Sequence, residues 1–153
     1  AAVHPEPFVT GVVEKGLAVR WPPGATSVFY GGEYQAGALV FSQRFSENAD
    51  AARRFMLAYV RALRDYNDAF ARGKGKDQIV SILTKYTSEK DPAAYDKMQM
   101  PYLNPDGAMH VPSMKMDFDY LKQMGYYTGK LELQQLLDTQ FVDYASKELG
   151  PYK

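Results

Sequence analysis

Cysteine is missing from this 153-residue chain, and its absence excludes disulfides, zinc–thiolate sites and thiol nucleophiles together. Net charge is missing as well. Eighteen Lys and Arg balance eighteen Asp and Glu, which leaves no basic footprint for nucleic acid or an anionic membrane surface. No apolar run in the sequence approaches the ~20 residues that a membrane-spanning helix needs. Histidine is scarce: only His4 and His110 occur, and neither stands at metal-ligand spacing with a second His or a carboxylate cluster. No Gly-x-Ser-x-Gly elbow, phosphate-binding glycine loop or dinucleotide fingerprint is present. Gly31-Gly32-Glu33 and Gly73-Lys74-Gly75 read as turns. Asp117 and Asp119 read as carboxylates near a helix start, favoured there by the macrodipole. No catalytic residue, no metal and no cofactor is therefore expected, and the chain reads as a non-enzyme.

What is present is an ordinary globular composition, 46% hydrophobic and 24% charged, on a chain long enough for one core. The first forty-five residues read as α/β structure. Glu6-Pro7-Phe8-Val9-Thr10 opens a short helix, with Pro7 near the first turn, where its missing N–H is no loss. Phe8, Val12 and Val13 share a face, and Gly16 stops the helix. Leu17-Ala18-Val19-Arg20-Trp21 reads as a strand broken at Pro22-Pro23-Gly24, Ser27-Val28-Phe29-Tyr30 as another, and residues 34–41 as a buried strand. So few strands leave open edges, and further strands must come from elsewhere. The chain opens Ala1-Ala2-Val3-His4, with neither an initiator Met nor a signal peptide, which reads as a processed or truncated start.

From Asn48 the period becomes helical. Asn48 caps, and Ala52, Phe55, Met56, Tyr59, Val60, Leu63, Tyr66 and Phe70 recur at steps of three and four. Arg53, Arg54, Arg61, Arg64, Asp65 and Asp68 take the opposite face, and Gly73-Lys74-Gly75 ends the segment. Further helices are expected over 77–86, from Asp91-Pro92 onward, and near 113–124, 131–136 and 139–149. Asn104-Pro105-Asp106-Gly107 is a turn in which proline presets φ and glycine accepts the positive φ that follows.

Twelve tyrosines, eight phenylalanines and one tryptophan are many for this length. The stripe Phe55/Tyr59/Tyr66/Phe70 is expected to fill the core, and Tyr126-Tyr127 to close a helix end. Tyr30 and Tyr34 differ, because they flank Gly31-Gly32-Glu33, where a ligand can approach exposed backbone. Aromatic faces with polar tips suit a small-molecule cleft. Gln35 both donates and accepts hydrogen bonds. His4 and Glu6 precede a helix at the kind of strand–helix junction where α/β ligand crevices form. The candidate ligand-binding set is His4, Glu6, Tyr30, Tyr34 and Gln35.

The pattern Met116-Asp117-Phe118-Asp119-Tyr120-Leu121 running to Gly125, the step Asp138-Thr139-Gln140-Phe141-Val142, and Ala145-Ser146-Lys147-Glu148-Leu149-Gly150 resemble the C-terminus of solute-binding proteins of ABC importers. The group concerned handles nitrate, sulfonates, taurine and thiamine precursors. Val3-His4-Pro5-Glu6-Pro7-Phe8-Val9, residues 45–55 and the Pro105-Asp106-Gly107 turn are similar to the same family in order and spacing. The resemblance implies an α/β, periplasmic-binding-protein-like type II fold, two-lobed and hinge-linked, of which this chain is roughly the C-terminal half. Residues 1–45 would belong to the second α/β lobe and hinge strand, and 46–153 to a helical portion packed on the lobes. It also implies capture of a small solute, an organic anion or pyrimidine-like molecule, for delivery to the membrane subunits of an ABC permease. The N-terminal half of the same protein would be a partner, in the periplasm or lipid-anchored outside the cytoplasm. Two alternatives stand beside it. One is a thiamine-pyrimidine-precursor synthase-like enzyme on the same fold, which the lack of cysteine disfavours. The other is a self-contained helical interaction domain, disfavoured by the strand-like first forty residues.

Overall fold

The computed structural model describes residues 2–22 and 24–153. Ala1 and Pro23 lie outside the described residues, and with them part of the expected break at Pro22-Pro23-Gly24. The chain is 55% helical and contains no strand or sheet among the described residues. The expected α/β class is thereby overturned in favour of an all-helical fold.

The helices are α1 (Phe8–Glu14), α2 (Ala25–Tyr30), α3 (Gln43–Glu47), α4 (Ala49–Arg72), α5 (Lys76–Tyr86), α6 (Ala94–Lys97), α7 (Val111–Gln123), α8 (Leu133–Leu136) and α9 (Gln140–Leu149). The long helix α4 organises the rest. Asn48 caps it as expected, its Oδ1 accepting from the Ala51 N–H at 3.2 Å, and Gly73 ends it in the left-handed region at φ 71°. Helix α9 packs along α4, α5 folds back on it and α3 leads into it, while α8 rests on α7. Ala52, Val60 and Ala145 are fully buried between these helices, with Leu63, Ala69 and Phe141 close behind. Small residues at this contact let the two backbones approach closely, so burial of a few aliphatic side chains stabilises the pair.

None of the three expected strands forms among the described residues, each for an identifiable reason. Residues 27–30 form part of α2. Gly24 and Gly31 bracket it, and its hydrogen bonds close locally, Val28 N–H to Gly24 O at 3.3 Å and Gly31 N–H to Ser27 O at 3.1 Å. A strand of four residues has no such local satisfaction and needs a neighbour. Residues 17–21 find none, and Leu17, Val19 and Trp21 stand exposed. Residues 33–41 are extended but unladdered. Side chains take over their bonding: the Gln35 N–H donates to Ser113 Oγ at 2.8 Å, and Gln35 Nε2 donates to Gly37 O at 2.6 Å. At the end of this segment Phe41 meets Phe45, Phe55 and Phe141 at ring-centroid distances of 4.8, 5.5 and 5.6 Å. Edge-to-face and tilted aromatic pairs of this kind add stability beyond area burial, and they fasten the extended stretch to α4 and α9.

The helical half matches expectation more closely, with local corrections. Helix α1 forms, yet Phe8 and Val12 on its expected core face are exposed. Within the aromatic stripe of α4, Phe55 and Tyr59 are exposed rather than core. Arg64, placed on the solvent face by periodicity, instead turns inward. Its guanidinium donates to Asp106 Oδ1 at 2.6 Å and to the carbonyls of Gly150 at 2.7 Å, Pro105 at 3.3 Å and Leu149 at 3.4 Å. Asp117 and Asp119 are not in the first turn of α7. Asp119 pairs with Lys115 at 2.7 Å, and Asp117 accepts from the Tyr30 hydroxyl.

Candidate functional site

The site is assembled from three loops that α1, α4 and α7 hold in place. The first is the lead-in to α1. Glu6 Oε2 accepts from the Thr10 N–H at 3.0 Å, so the carboxylate caps the helix that its own residue precedes. Glu6 Oε1 accepts from the Arg20 guanidinium at 2.5 Å and from the Gln99 N–H at 3.3 Å, and Arg20 also donates to Thr10 Oγ1 at 2.7 Å. One carboxylate therefore braces α1, the residue-20 stretch and the residue-99 loop against each other. Burial pushes the Glu6 carboxyl upward, but the Arg20 and Thr10 hydrogen bonds prevail and hold it below the usual range.

The second loop is the extended stretch after α2. Tyr34 stacks on Tyr30 with centroids 5.3 Å apart and planes 17° off parallel. The Tyr30 hydroxyl donates to Asp117 Oδ1 at 2.7 Å, and this bond, first among the causes, raises the Tyr30 pKa. Gln35 Oε1 accepts from the His110 N–H at 2.7 Å. The third loop is the Asn104–Gly107 turn with its continuation to His110. Its Gly107 N–H donates to Asn104 O at 2.9 Å, and Asn104 Oδ1 accepts from the Asp106 N–H at 2.9 Å, the side-chain turn that Asn favours. Buried Asn67 on α4 ties in the neighbouring loop by donating to Leu103 O at 2.7 Å.

Between these loops lies a cavity of about 680 Å³, within the size range of small-molecule sites. His4, Glu6, Tyr34 and Gln35 line it; Tyr30 does not. The structure thus brings four of the five sequence-predicted residues to one cavity and sets Tyr30 behind Tyr34 as its support. Their parts also separate. His4 and Tyr34 are open to solvent, whereas Glu6 and Gln35 are engaged in wall-building hydrogen bonds. Gly32 and Glu33, from the expected ligand-facing loop, also line it, and so do Arg20, Tyr59, Tyr102, Asn104 and His110, which no local sequence pattern marks as wall. Tyr59 was hidden in an apparent core stripe, and the Asn104–Gly107 turn was legible as a turn but not as a wall. His110 stands in the sequence without metal-ligand spacing, and no group of three or more His, Asp or Glu able to hold a metal occurs among the described residues. No helix there is long and apolar enough to cross a membrane.

The brace makes a test of its own. Glu6→Gln removes the charged acceptor shared by Arg20, Thr10 and Gln99, and is expected to lower stability by about 1–2 kcal/mol at neutral pH. Because the folded-state pKa of Glu6 lies below its ordinary value of 4.5, its contribution is present above that value and lost as pH falls through the folded pKa. Thermal melts between roughly pH 6 and 3 should therefore converge for the two proteins at the acid end. Parallel curves would remove the carboxylate from the account.

Comparison with protein-family models, with curated proteins and with solved structures returns no match.

Proposed function

We propose that this chain supplies one wall of a small-solute site, acting as the substrate-binding component of an ABC importer that hands its ligand to membrane permease subunits. The observation that carries this is the convergence of His4, Glu6, Tyr34 and Gln35 on a single cavity of about 680 Å³. An open tyrosine face, a braced wall and several polar tips are what reversible capture of a small molecule needs, and such a role requires no acid–base pair. The α/β architecture implied by the resemblance is not part of the proposal, which stands on the cavity. In this reading the protein works in the periplasm, free or lipid-anchored.

A second feature supports a partner. Phe8, Leu17, Val19, Trp21, Val28, Phe29 and Val40, all within the first forty residues, are exposed, and a partner that covered them would bury apolar area now open to water. The N-terminal half of the same protein is the occupant proposed for it. A helical interaction domain is the second reading, since the strands that argued against it are absent among the described residues.

Tyr34→Ala separates the two. The residue is 41% exposed, so truncation is expected to leave the melting temperature within about 2 °C while weakening solute binding roughly tenfold or more. Isothermal calorimetry with a panel of sulfonates, nitrate, pyrimidines and amines on the intact protein supplies the readout. An interaction domain predicts that no member of the panel binds.

A further inference from the structure

The charges around the cavity identify what class of solute it takes. Only Glu6, Arg20 and Glu33 carry formal charge among its acidic, Lys and Arg lining residues. Arg20 is committed to Glu6 at 2.5 Å and to Thr10, so the cavity's one guanidinium is neutralised within the wall. Glu33 has no such partner among the described ion pairs and hydrogen bonds. The wall therefore presents one uncompensated negative charge. Three tyrosines, Tyr34, Tyr59 and Tyr102, line the same space with 41%, 37% and 64% of their surface open. Aromatic faces attract cations through the ring quadrupole, and a carboxylate nearby adds to the attraction.

We propose that this cavity binds a small organic cation, an ammonium or comparable nitrogen base carrying an apolar or aromatic body, and rejects organic anions. The inference rests on the solute-binding reading of the same site, and it narrows that reading. An anion would have to enter beside Glu33 without a free guanidinium to receive it, since drawing Arg20 away would break its ion pair with Glu6 and its hydrogen bond to Thr10. A cation meets the Glu33 carboxylate and three tyrosines in one lining.

Three probes of one shape decide it: benzylammonium, benzyl alcohol and benzoate, which share a ring and differ in charge. Calorimetry is carried out on the intact protein at pH 8, where a primary alkylammonium is protonated and a carboxylate ionised. The expected result is that benzylammonium binds at least about tenfold more tightly than benzoate, with the alcohol between them, and that raising ionic strength narrows the gap. Glu33→Gln, a change at an exposed position that leaves the brace intact, should reduce the preference for the cation several-fold without altering the melting temperature. Tighter binding of benzoate, or equal binding of all three, overturns the charge inference and keeps the site as a solute site. Binding of none of them, nor of any member of the wider panel, overturns the solute reading itself.

Discussion

Replacing Arg64 by Met is expected to lower stability by about 3 kcal/mol, or roughly 6–12 °C in melting temperature for a chain of this size. The Arg64 side chain is 14% exposed, and its guanidinium is paired with Asp106 at 2.6 Å. It also satisfies the carbonyls of Pro105, Leu149 and Gly150, two of which belong to the end of α9. Met fills a similar volume but donates nothing, so partly buried acceptors lose their donors and the last carbonyls of α9 lose their cap. Arg64→Lys keeps the charge but cannot reach four acceptors from one planar fork, and should recover less than half of the loss. The effect extends to the site, because Pro105 and Asp106 belong to the turn whose next residues line the cavity. Chemical denaturation of the three proteins provides the measurement. Equal stability of the Met variant would mean that the clamp contributes nothing net.

Arg64 also illustrates where the sequence stops being informative. Helical periodicity correctly marks α4, α5, α7 and α9, since a long amphipathic pattern with Asn48 before it and Gly73 after it has one good solution. Periodicity puts every charged residue on the wet face, and it cannot see that the C-terminus returns to place carbonyls around one of them. The error in the first forty-five residues is of another kind. Alternation such as Leu17-Ala18-Val19-Arg20-Trp21 reports that a stretch suits a pleated, half-buried surface, not that a partner strand exists. With no ladder available, residues 25–30 close their hydrogen bonds as a short helix. Residues 33–41 borrow Ser113 and His110 as partners instead. The site was partly legible for a simpler reason. Glycines beside tyrosines signal accessible backbone next to flat faces, which holds whether the flanking chain is strand or coil. The opposing wall, from residue 99 to His110, is brought there by tertiary packing against α4, and no local pattern announces it.

Gly107→Ala is expected to be the most damaging single-methyl change in the site, at about 3 kcal/mol. Gly107 holds φ at +71°, where an L side chain is strained, and a Cβ there would stand 2.8 Å from Val142 Cγ2, 3.4 Å from Val60 Cγ2 and 3.6 Å from Leu63 Cδ1. The first of these contacts is too close to survive, and relief is hard to find. Val60 and Leu63 are buried in α4, and Val142 belongs to α9, the helix packed against it. The backbone at residue 107 must then move outward, and outward is into the cavity that Gly107 lines together with Asn104 and His110. Loss of stability and loss of ligand affinity should consequently appear together in this variant, unlike Tyr34→Ala, where only affinity falls. A second substitution distinguishes strain from crowding. Val142→Ala removes the nearest methyl, so in the Gly107→Ala background it should restore roughly 1 kcal/mol while leaving the φ strain in place. Thermal melts and calorimetry on the single and double variants measure both quantities. A double variant no more stable than Gly107→Ala alone would assign the whole effect to the backbone.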